Sequence, residues 1–197
     1  MKMVFATKNE GKVKEISEML SSMEVELMSL NHFESLPEII EDGKTYLENA
    51  FKKAKIISEF TGETVLADDS GLEVDALGGE PGIYSARYAG ESATDDENNA
   101  RLLDRLKEVP LEKRGASFCC ALVLFETNGN YHSFEARWQG IIIDESRGDN
   151  GFGYDPIFFC PELNKTAAEL SPDIKNKVSH RGQAFAKLKD YLGSITK

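Results

Sequence analysis

The 197-residue sequence has few cysteines and no excess of basic residues, and both absences exclude classes of protein. Its three cysteines are odd in number, two are adjacent, and none forms a C-x-x-C zinc pair. They therefore favour a reducing cytoplasm over a disulfide framework. Because 34 Asp and Glu residues outnumber 23 Lys and Arg, the formal charge is −11 at pH 7. We therefore expect no general binding of nucleic acid, whose phosphates such a surface repels.

The sequence also lacks a long apolar run. Its longest uncharged apolar segments fall far short of the roughly 20 residues that a membrane span needs. Met1–Phe5 leads directly into a strand-like segment without a basic region and a long apolar stretch, so we expect no secretory signal. With 41% hydrophobic and 29% charged residues and no linker-like tract, residues 1–197 are predicted to form a single globular domain.

Hydrophobic periodicity predicts an α/β fold with a central mixed twisted sheet flanked by helices. Thr94–Glu97 reads as a capping box, Asn128-Gly129 as a hairpin turn, and Ser171-Pro172 as the start of a short helix. Gly62 is expected to end a helix, and the glycine-rich residues 71–90 to form loops. Strands are predicted at 2–6, 25–28, 64–67, 117–126 and 131–143, and longer helices around 13–23, 47–57, 94–106 and 184–192.

Two segments are candidates for triphosphate and metal binding. Thr7–Lys12 lies between a predicted strand and a helix, where free backbone N–H groups at the positive end of the helix dipole suit phosphate. Asp68-Asp69-Ser70-Gly71 is predicted to follow a buried strand, and two adjacent carboxylates are costly unless a cation or proton intervenes. Oxygen ligands of this kind suit Mg²⁺.

Two further segments are candidates for binding a planar base. Gly151–Pro156 combines glycines, which allow close backbone approach, with Phe152 and Tyr154, which can stack on a base. Lys175 and Ser179–Gly182, just before the last predicted helix, offer donors for a carbonyl on a base edge. Each of the four segments alone also fits an ordinary turn or helix cap. Together they predict a nucleoside triphosphate pocket.

The sequence resembles the inosine triphosphate pyrophosphatase family, and in particular its bacterial branch. The matching stretches occur in family order over nearly the whole chain, although Lys8 stands where that branch commonly has Gly. They are residues 6–12, Leu47-Glu48-Asn49-Ala50, residues 67–72, residues 76–88, residues 151–156 and Ser179-His180-Arg181-Gly182.

The resemblance implies two lobes around a nucleotide-binding cleft, a homodimer, and hydrolysis of ITP, dITP or XTP to the monophosphate and pyrophosphate with Mg²⁺. It implies that Asp69 is the general base and a metal ligand, with Glu41 as the second carboxylate and Glu38 and Asp42 as neighbouring alternatives. The substrate-binding residues that it implies are Thr7, Lys8, Asn9, Glu10, Gly11, Lys12, Lys53, Ser70, Phe152, Gly153, Tyr154, Asp155, Lys175, His180 and Arg181.

Two other functions remain open at this point. A Maf-like pyrophosphatase of modified or pyrimidine nucleotides would share the architecture but carry different motifs. A nucleotide-sensing module without catalysis would need no water-activating carboxylate, so Asp69 and its accompanying lysines weigh against it.

Overall fold

The computed structural model describes residues 2–21, 23 and 25–195, so Met1 of the predicted N-terminal segment lies outside the described residues. The described chain forms a seven-stranded sheet with strand order β2-β1-β3-β4-β5-β6-β7. β1 pairs in parallel with β2 and β3, whereas β6 pairs antiparallel with β5 and β7, so the predicted mixed sheet and α/β class are confirmed. The strands are β1 (Lys2–Phe5), β2 (Glu26–Ser29), β3 (Val65–Val74), β4 (Gly115–Phe125), β5 (Tyr131–Ile142), β6 (Phe158–Cys160) and β7 (Lys165–Thr166).

The helices have the local signals that the sequence predicts. Asn9 caps the first helix, Thr45 caps the second, and Gly62 ends the second with a left-handed φ of 68°. Thr94 and Glu97 form the predicted capping box, and Pro172 opens the fourth helix after Ser171. The helices are α1 (Glu10–Leu20), α2 (Tyr46–Thr61), α3 (Asp95–Leu106), α4 (Pro172–Val178) and α5 (His180–Ile195).

The chain divides into two compact units, each assembled from separated segments. Unit 1 comprises the chain up to Asp69, Cys120–Ala136, and the chain from Arg181 onward; unit 2 comprises Ser70–Cys119 and Arg137–His180. In unit 1, the alternation of strand side chains buries Met3 and Phe5 in one apolar cluster and Val4 and Ala6 in another. The first cluster contains residues of α1 and α5, and the second contains residues of α2. Unit 2 has its own core, to which α3 contributes Leu102 and Leu106.

Two expected boundaries are wrong. β3 does not end before Asp68: it continues through Asp68-Asp69-Ser70-Gly71 to Val74, so the carboxylates lie in the middle of a strand. The physical reason is that Leu72 and Val74 are fully buried in the core of unit 2, which makes residues 71–74 strand rather than loop. His180 and Arg181 open α5 rather than precede it.

Two other expectations concern composition. Cys119, Cys120 and Cys160 are all buried and free, which agrees with the expectation that they form no disulfide framework. Within the described ranges, no helix combines the length and the apolar composition needed to cross a membrane.

Candidate active site

The segment between β1 and α1 forms an ordered helix N-terminus. The Asn9 side chain accepts a hydrogen bond from the Lys12 backbone N–H at 3.0 Å, and Thr7 Oγ1 accepts one from the Asn9 N–H at 3.1 Å. These contacts fix the first turn, whose N–H groups and dipole favour an anion. Lys8, Asn9 and Glu10 are exposed, whereas Lys12 is half-buried.

A pocket of about 260 Å³ lies in unit 1 beside this segment. Its polar side chains come from two parts of the chain. Thr7 and Lys8 lie in the segment after β1, and Glu41 and Lys53 lie before and within α2. Lys53 Nζ lies 2.7 Å from Glu41 Oε1 and donates to the Asp68 carbonyl at 3.2 Å. The lining residues are Ala6, Thr7, Lys8, Leu30, Leu36, Pro37, Ile39, Glu41 and Lys53.

Asp68 is a buried carboxylate held between two cations. Its side chain is inaccessible to solvent and forms ion pairs with Lys12 and with Arg181, whose Nε lies 3.0 Å from Asp68 Oδ2. Burial alone would raise the pKa of Asp68, but the charges of Arg181 and Lys12 lower it well below its ordinary value. Asp68 is therefore a permanent anion that fixes two basic side chains.

Asp69 has the opposite electrostatic character. It is 7% exposed and accepts a hydrogen bond from Asn49 Nδ2 at 3.1 Å. Burial raises the pKa of Asp69 to about 6 and the charge of Glu41 adds to the increase, while Lys53 and Lys12 oppose it. A carboxyl group with this pKa is mostly ionised at neutral pH and is basic enough to take a proton from a reacting water.

Glu41 and Asp69 fit a divalent-cation site that a substrate completes. Mg²⁺ in such sites takes one or two carboxylates together with substrate phosphates, and the part of the chain that the structure describes holds no group of three or more His, Cys, Asp or Glu placed for a metal. The charge of Glu41 contributes to the raised pKa of Asp69, and Lys53 links the Glu41 carboxylate to the backbone carbonyl of Asp68, the residue before Asp69. Glu38 is exposed, and Asp42 is exposed and pairs with Lys52, so the geometry favours Glu41 among the three alternatives.

Arg181 lies in unit 1 with the phosphate segment, not with the other residues expected at the base. It is 2% exposed, and its Nη1 lies 2.6 Å from Glu15 Oε2 in addition to the contact with Asp68. Burial opposes the charge of the guanidinium, yet Asp68 and Glu15 raise the pKa of Arg181 above its ordinary value. The side chain is therefore rigid and permanently cationic.

The base-binding candidates of unit 2 form an anchored turn. Asp155 Oδ2 accepts hydrogen bonds from Lys175 Nζ at 2.6 Å and from the Phe152 N–H at 2.8 Å. Gly151 has a φ of 81°, and a Cβ at this position would lie 2.1 Å from Asp155 Oδ2, so glycine is required there. Because Asp155 holds the turn in this way, its role in this geometry is to fix the loop.

The aromatic candidates of unit 2 differ in exposure: Phe152 is half-buried, whereas His180 is buried. Lys175 Nζ lies 5.1 Å from the centre of the Phe152 ring, and the His180 ring stacks on Phe118 with centroids 4.8 Å apart. Tyr154 is buried and donates from its hydroxyl to the Ser85 carbonyl at 2.9 Å. Ser70, the first residue of unit 2, is half-buried in β3.

The structure thus brings the candidate residues together in two groups. Unit 1 holds Thr7–Lys12, Glu41, Lys53, Asp69 and Arg181, and unit 2 holds Ser70, Phe152–Asp155, Lys175 and His180. No role was predicted for Glu15 or Asn49. For Glu15, the only sequence signal of a functional role was its position one helical turn after Lys12. For Asn49, it was its place in the family stretch Leu47–Ala50.

Comparison with known proteins decides the family. The model of the Ham1 family matches residues 3–191. This chain belongs to the Ham1 family. It is 52% identical over 192 residues to the dITP/XTP pyrophosphatase of Geobacter sulfurreducens, covering 98% of this chain and 96% of the relative. The predicted family resemblance is confirmed.

Solved structures agree with this assignment. The chain superimposes on a HAM1 protein from Coxiella burnetii with a TM-score of 0.89 at 42% identity, covering 98% of this chain and 99% of that one. A structure of a nucleoside-triphosphatase described as a dITP/XTP pyrophosphatase, from Mycobacterium abscessus, matches with a TM-score of 0.77 at 45% identity. The match covers 95% of this chain and 98% of that one. The fold seen here is therefore that of solved Ham1 proteins.

Proposed function

We propose that the protein hydrolyses the non-standard purine nucleoside triphosphates ITP, dITP and XTP to the monophosphate and pyrophosphate, and so cleanses the nucleotide pool. The observation that carries this proposal is Asp69, a carboxyl group with a raised pKa, in the unit that also carries the Thr7–Lys12 helix N-terminus. Membership of the Ham1 family and the similarity to proteins named dITP/XTP pyrophosphatase support the choice of substrate.

The reaction requires one water and one proton acceptor. The water oxygen forms a bond to the α-phosphorus while the bond from that phosphorus to the bridging oxygen of pyrophosphate breaks. Asp69 takes the proton of the attacking water, and the electron pair of the broken bond leaves with pyrophosphate. Lys12 and Lys53 stabilise the negative charge on the triphosphate through fixed positive charges.

Mg²⁺ is the proposed cofactor, held by Glu41 and Asp69. When bound, it neutralises charge on the phosphate oxygens as a Lewis acid. Lys53 is held beside these two carboxylates, because its Nζ is paired with Glu41 and donates to the backbone of the strand that carries Asp69.

Base selection is proposed to rest on donors and a stacking surface. Hypoxanthine and xanthine carry a 6-oxo acceptor where adenine carries an amino donor. Donors from His180 and Arg181 would face a second donor if ATP entered, which leaves buried polar groups unpaired. Phe152, fixed by the Asp155–Lys175 pair, supplies the aromatic surface for the base.

The remaining expectations complete the proposal. We propose that residues 1–197 act as a single catalytic domain, that the enzyme is a homodimer, and that it works in the cytoplasm on small-molecule nucleotides. The three free, buried cysteines suit that reducing compartment.

Hydrolysis of ITP in H₂¹⁸O with Mg²⁺ tests the reaction class. Attack at the α-phosphorus predicts one ¹⁸O atom in IMP and none in pyrophosphate, as read by mass spectrometry of the separated products. An enzyme that releases orthophosphate first, or that places the label in pyrophosphate, would contradict the proposal. A strong preference for dTTP or UTP would instead support a Maf-like pyrophosphatase.

A further inference from the structure

Asn49 is a buried side chain that contacts Asp69 and the backbone of the segment that carries Glu41. It lies in the first turn of α2 and is 1% exposed. Its Nδ2 donates to Asp69 Oδ2 at 3.1 Å, and its Oδ1 accepts from the Gly43 N–H at 2.8 Å. Both ends of the carboxamide are therefore occupied, which fixes its orientation.

Gly43 shows how closely the Glu41 segment approaches this side chain. A Cβ on Gly43 would lie 2.6 Å from Asn49 Oδ1 and 2.9 Å from the Cβ of Glu48, closer than real Cβ contacts. Gly43 is two residues from Glu41, so its backbone bond holds the segment that carries the second carboxylate. One side chain thus ties Asp69 in β3 to the Glu41 segment before α2.

We propose that Asn49 is the positioning residue of the metal site, setting the orientation of Asp69 and the place of the Glu41 segment relative to it. This inference rests on the proposed function, because that proposal makes Asp69 and Glu41 the metal carboxylates. Hydrogen-bonded neighbours of metal ligands commonly change metal affinity or activity by about 10–100-fold when removed. The amide suits this position because its N–H group donates to Asp69 without adding a third negative charge beside Glu41.

Two substitutions test the proposal in different ways. Asn49→Leu removes both hydrogen bonds in a side chain of similar size. Gly43→Ala leaves Asn49 in the sequence but forces its carboxamide to move. Ser58→Ala is the matched control, because Ser58 is also buried in α2 and makes one hydrogen bond, from Oγ to the Glu63 carbonyl at 2.8 Å, away from the site.

The primary readout is Mn²⁺ binding to the substrate-free protein, followed through the loss of the free-ion electron paramagnetic resonance signal. We expect Asn49→Leu and Gly43→Ala to bind Mn²⁺ at least tenfold more weakly than the unsubstituted protein, and Ser58→Ala to bind it as well as that protein. Melting temperatures and circular dichroism establish that each variant is folded at the temperature of the titration.

The proposal would be overturned if folded Asn49→Leu or Gly43→Ala bound Mn²⁺ with a dissociation constant within twofold of that of the unsubstituted protein. It would also be overturned if Ser58→Ala lost as much Mn²⁺ affinity as these two variants. The result is separable from the proposed function. If the protein hydrolyses none of the triphosphates but the two variants lose Mn²⁺ affinity, the proposed reaction fails while the positioning role stands.

Discussion

Two adjacent carboxylates, Asp68 and Asp69, illustrate at the scale of single residues how neighbours in a sequence acquire different chemistry. Side chains alternate along β3, so the two point to opposite faces of the strand. Asp68 meets Lys12 and Arg181 and stays ionised, whereas Asp69 meets Asn49 and has a raised pKa. The sequence alone cannot distinguish them, because both are Asp and the pairing partners lie up to 113 residues away.

Substituting each carboxylate separately tests this division. Asp69→Asn should keep the fold and lower kcat by about 10²–10⁴-fold, because it removes the proton acceptor. Asp68→Asn should lower the free energy of unfolding by about 3–5 kcal/mol, because it breaks the buried ion pair with Arg181 and leaves half-buried Lys12 without its carboxylate partner. Steady-state kinetics and urea unfolding measure the two effects. Near-normal turnover in Asp69→Asn would contradict the assignment and point to Asp68 or Glu41 as the base.

Lys12 and Arg181 should contribute differently to substrate selection. Lys12→Ala removes a charge from the phosphate segment and should weaken ITP, XTP and ATP by similar factors. Arg181→Ala should lower kcat/KM more for ITP than for ATP and so narrow the ratio of the two values. The reason is that ATP, the poorer substrate, gains less from the Arg181 contact.

The kcat/KM ratio is the proper readout for these two variants, because both share Asp68 and both substitutions also affect stability. Arg181→Ala leaves Glu15 and Asp68 without their common partner, so a lower melting temperature is expected as well. If Lys12→Ala narrowed the ITP/ATP ratio of kcat/KM while Arg181→Ala left it unchanged, the proposed roles in phosphate binding and base selection would be reversed.

Local sequence signals were sufficient, at the scale of elements, wherever the cause of a structure is local. The Thr94–Glu97 capping box, the Gly62 helix end and the Asn128-Gly129 turn between β4 and β5 all depend on residues within one turn, and all were predicted. The end of β3 was not, because Leu72 and Val74 are held in the strand by a core built from distant segments. Gly71 begins the glycine-rich stretch that was predicted to form loops, although a glycine can also lie within a strand.

The turn around Asp155 offers a test of how an element positions a ligand surface. Gly151→Ala should raise the KM for ITP about tenfold or more with a smaller change in kcat, because the new Cβ displaces the Asp155 carboxylate that holds Phe152. Gly62→Ala is the control: Gly62 also has a left-handed φ, but nothing lies within 4 Å of its Cβ position. An unchanged KM in folded Gly151→Ala would exclude a role for this anchor in substrate binding.

The whole molecule carries a charge of −11 and yet is proposed to bind a polyanion. In unit 1, Lys12, Lys53 and Arg181 are half-buried or buried and held in fixed places by Asp68, Glu41 and Glu15, so these six charges cancel and the proposed Mg²⁺ would supply the excess positive charge that a triphosphate needs. Net charge predicted the absence of general nucleic-acid binding, but it could not reveal where these buried ion pairs lie. The family motifs contain most of the residues involved, whereas Glu15 lies outside them and its role follows only from its contact with Arg181.

The central claim is selective release of pyrophosphate from non-standard purine triphosphates, and one assay tests it most directly. Pyrophosphate release is measured with Mg²⁺ for ITP, XTP, GTP, ATP and dTTP, with a parallel series in a chelator. We expect kcat/KM for ITP or XTP to be at least tenfold above that for ATP, a difference of about 1.4 kcal/mol in transition-state binding, and activity to be lost on chelation. Equal efficiency with ATP and ITP, or orthophosphate as the first product, would contradict it.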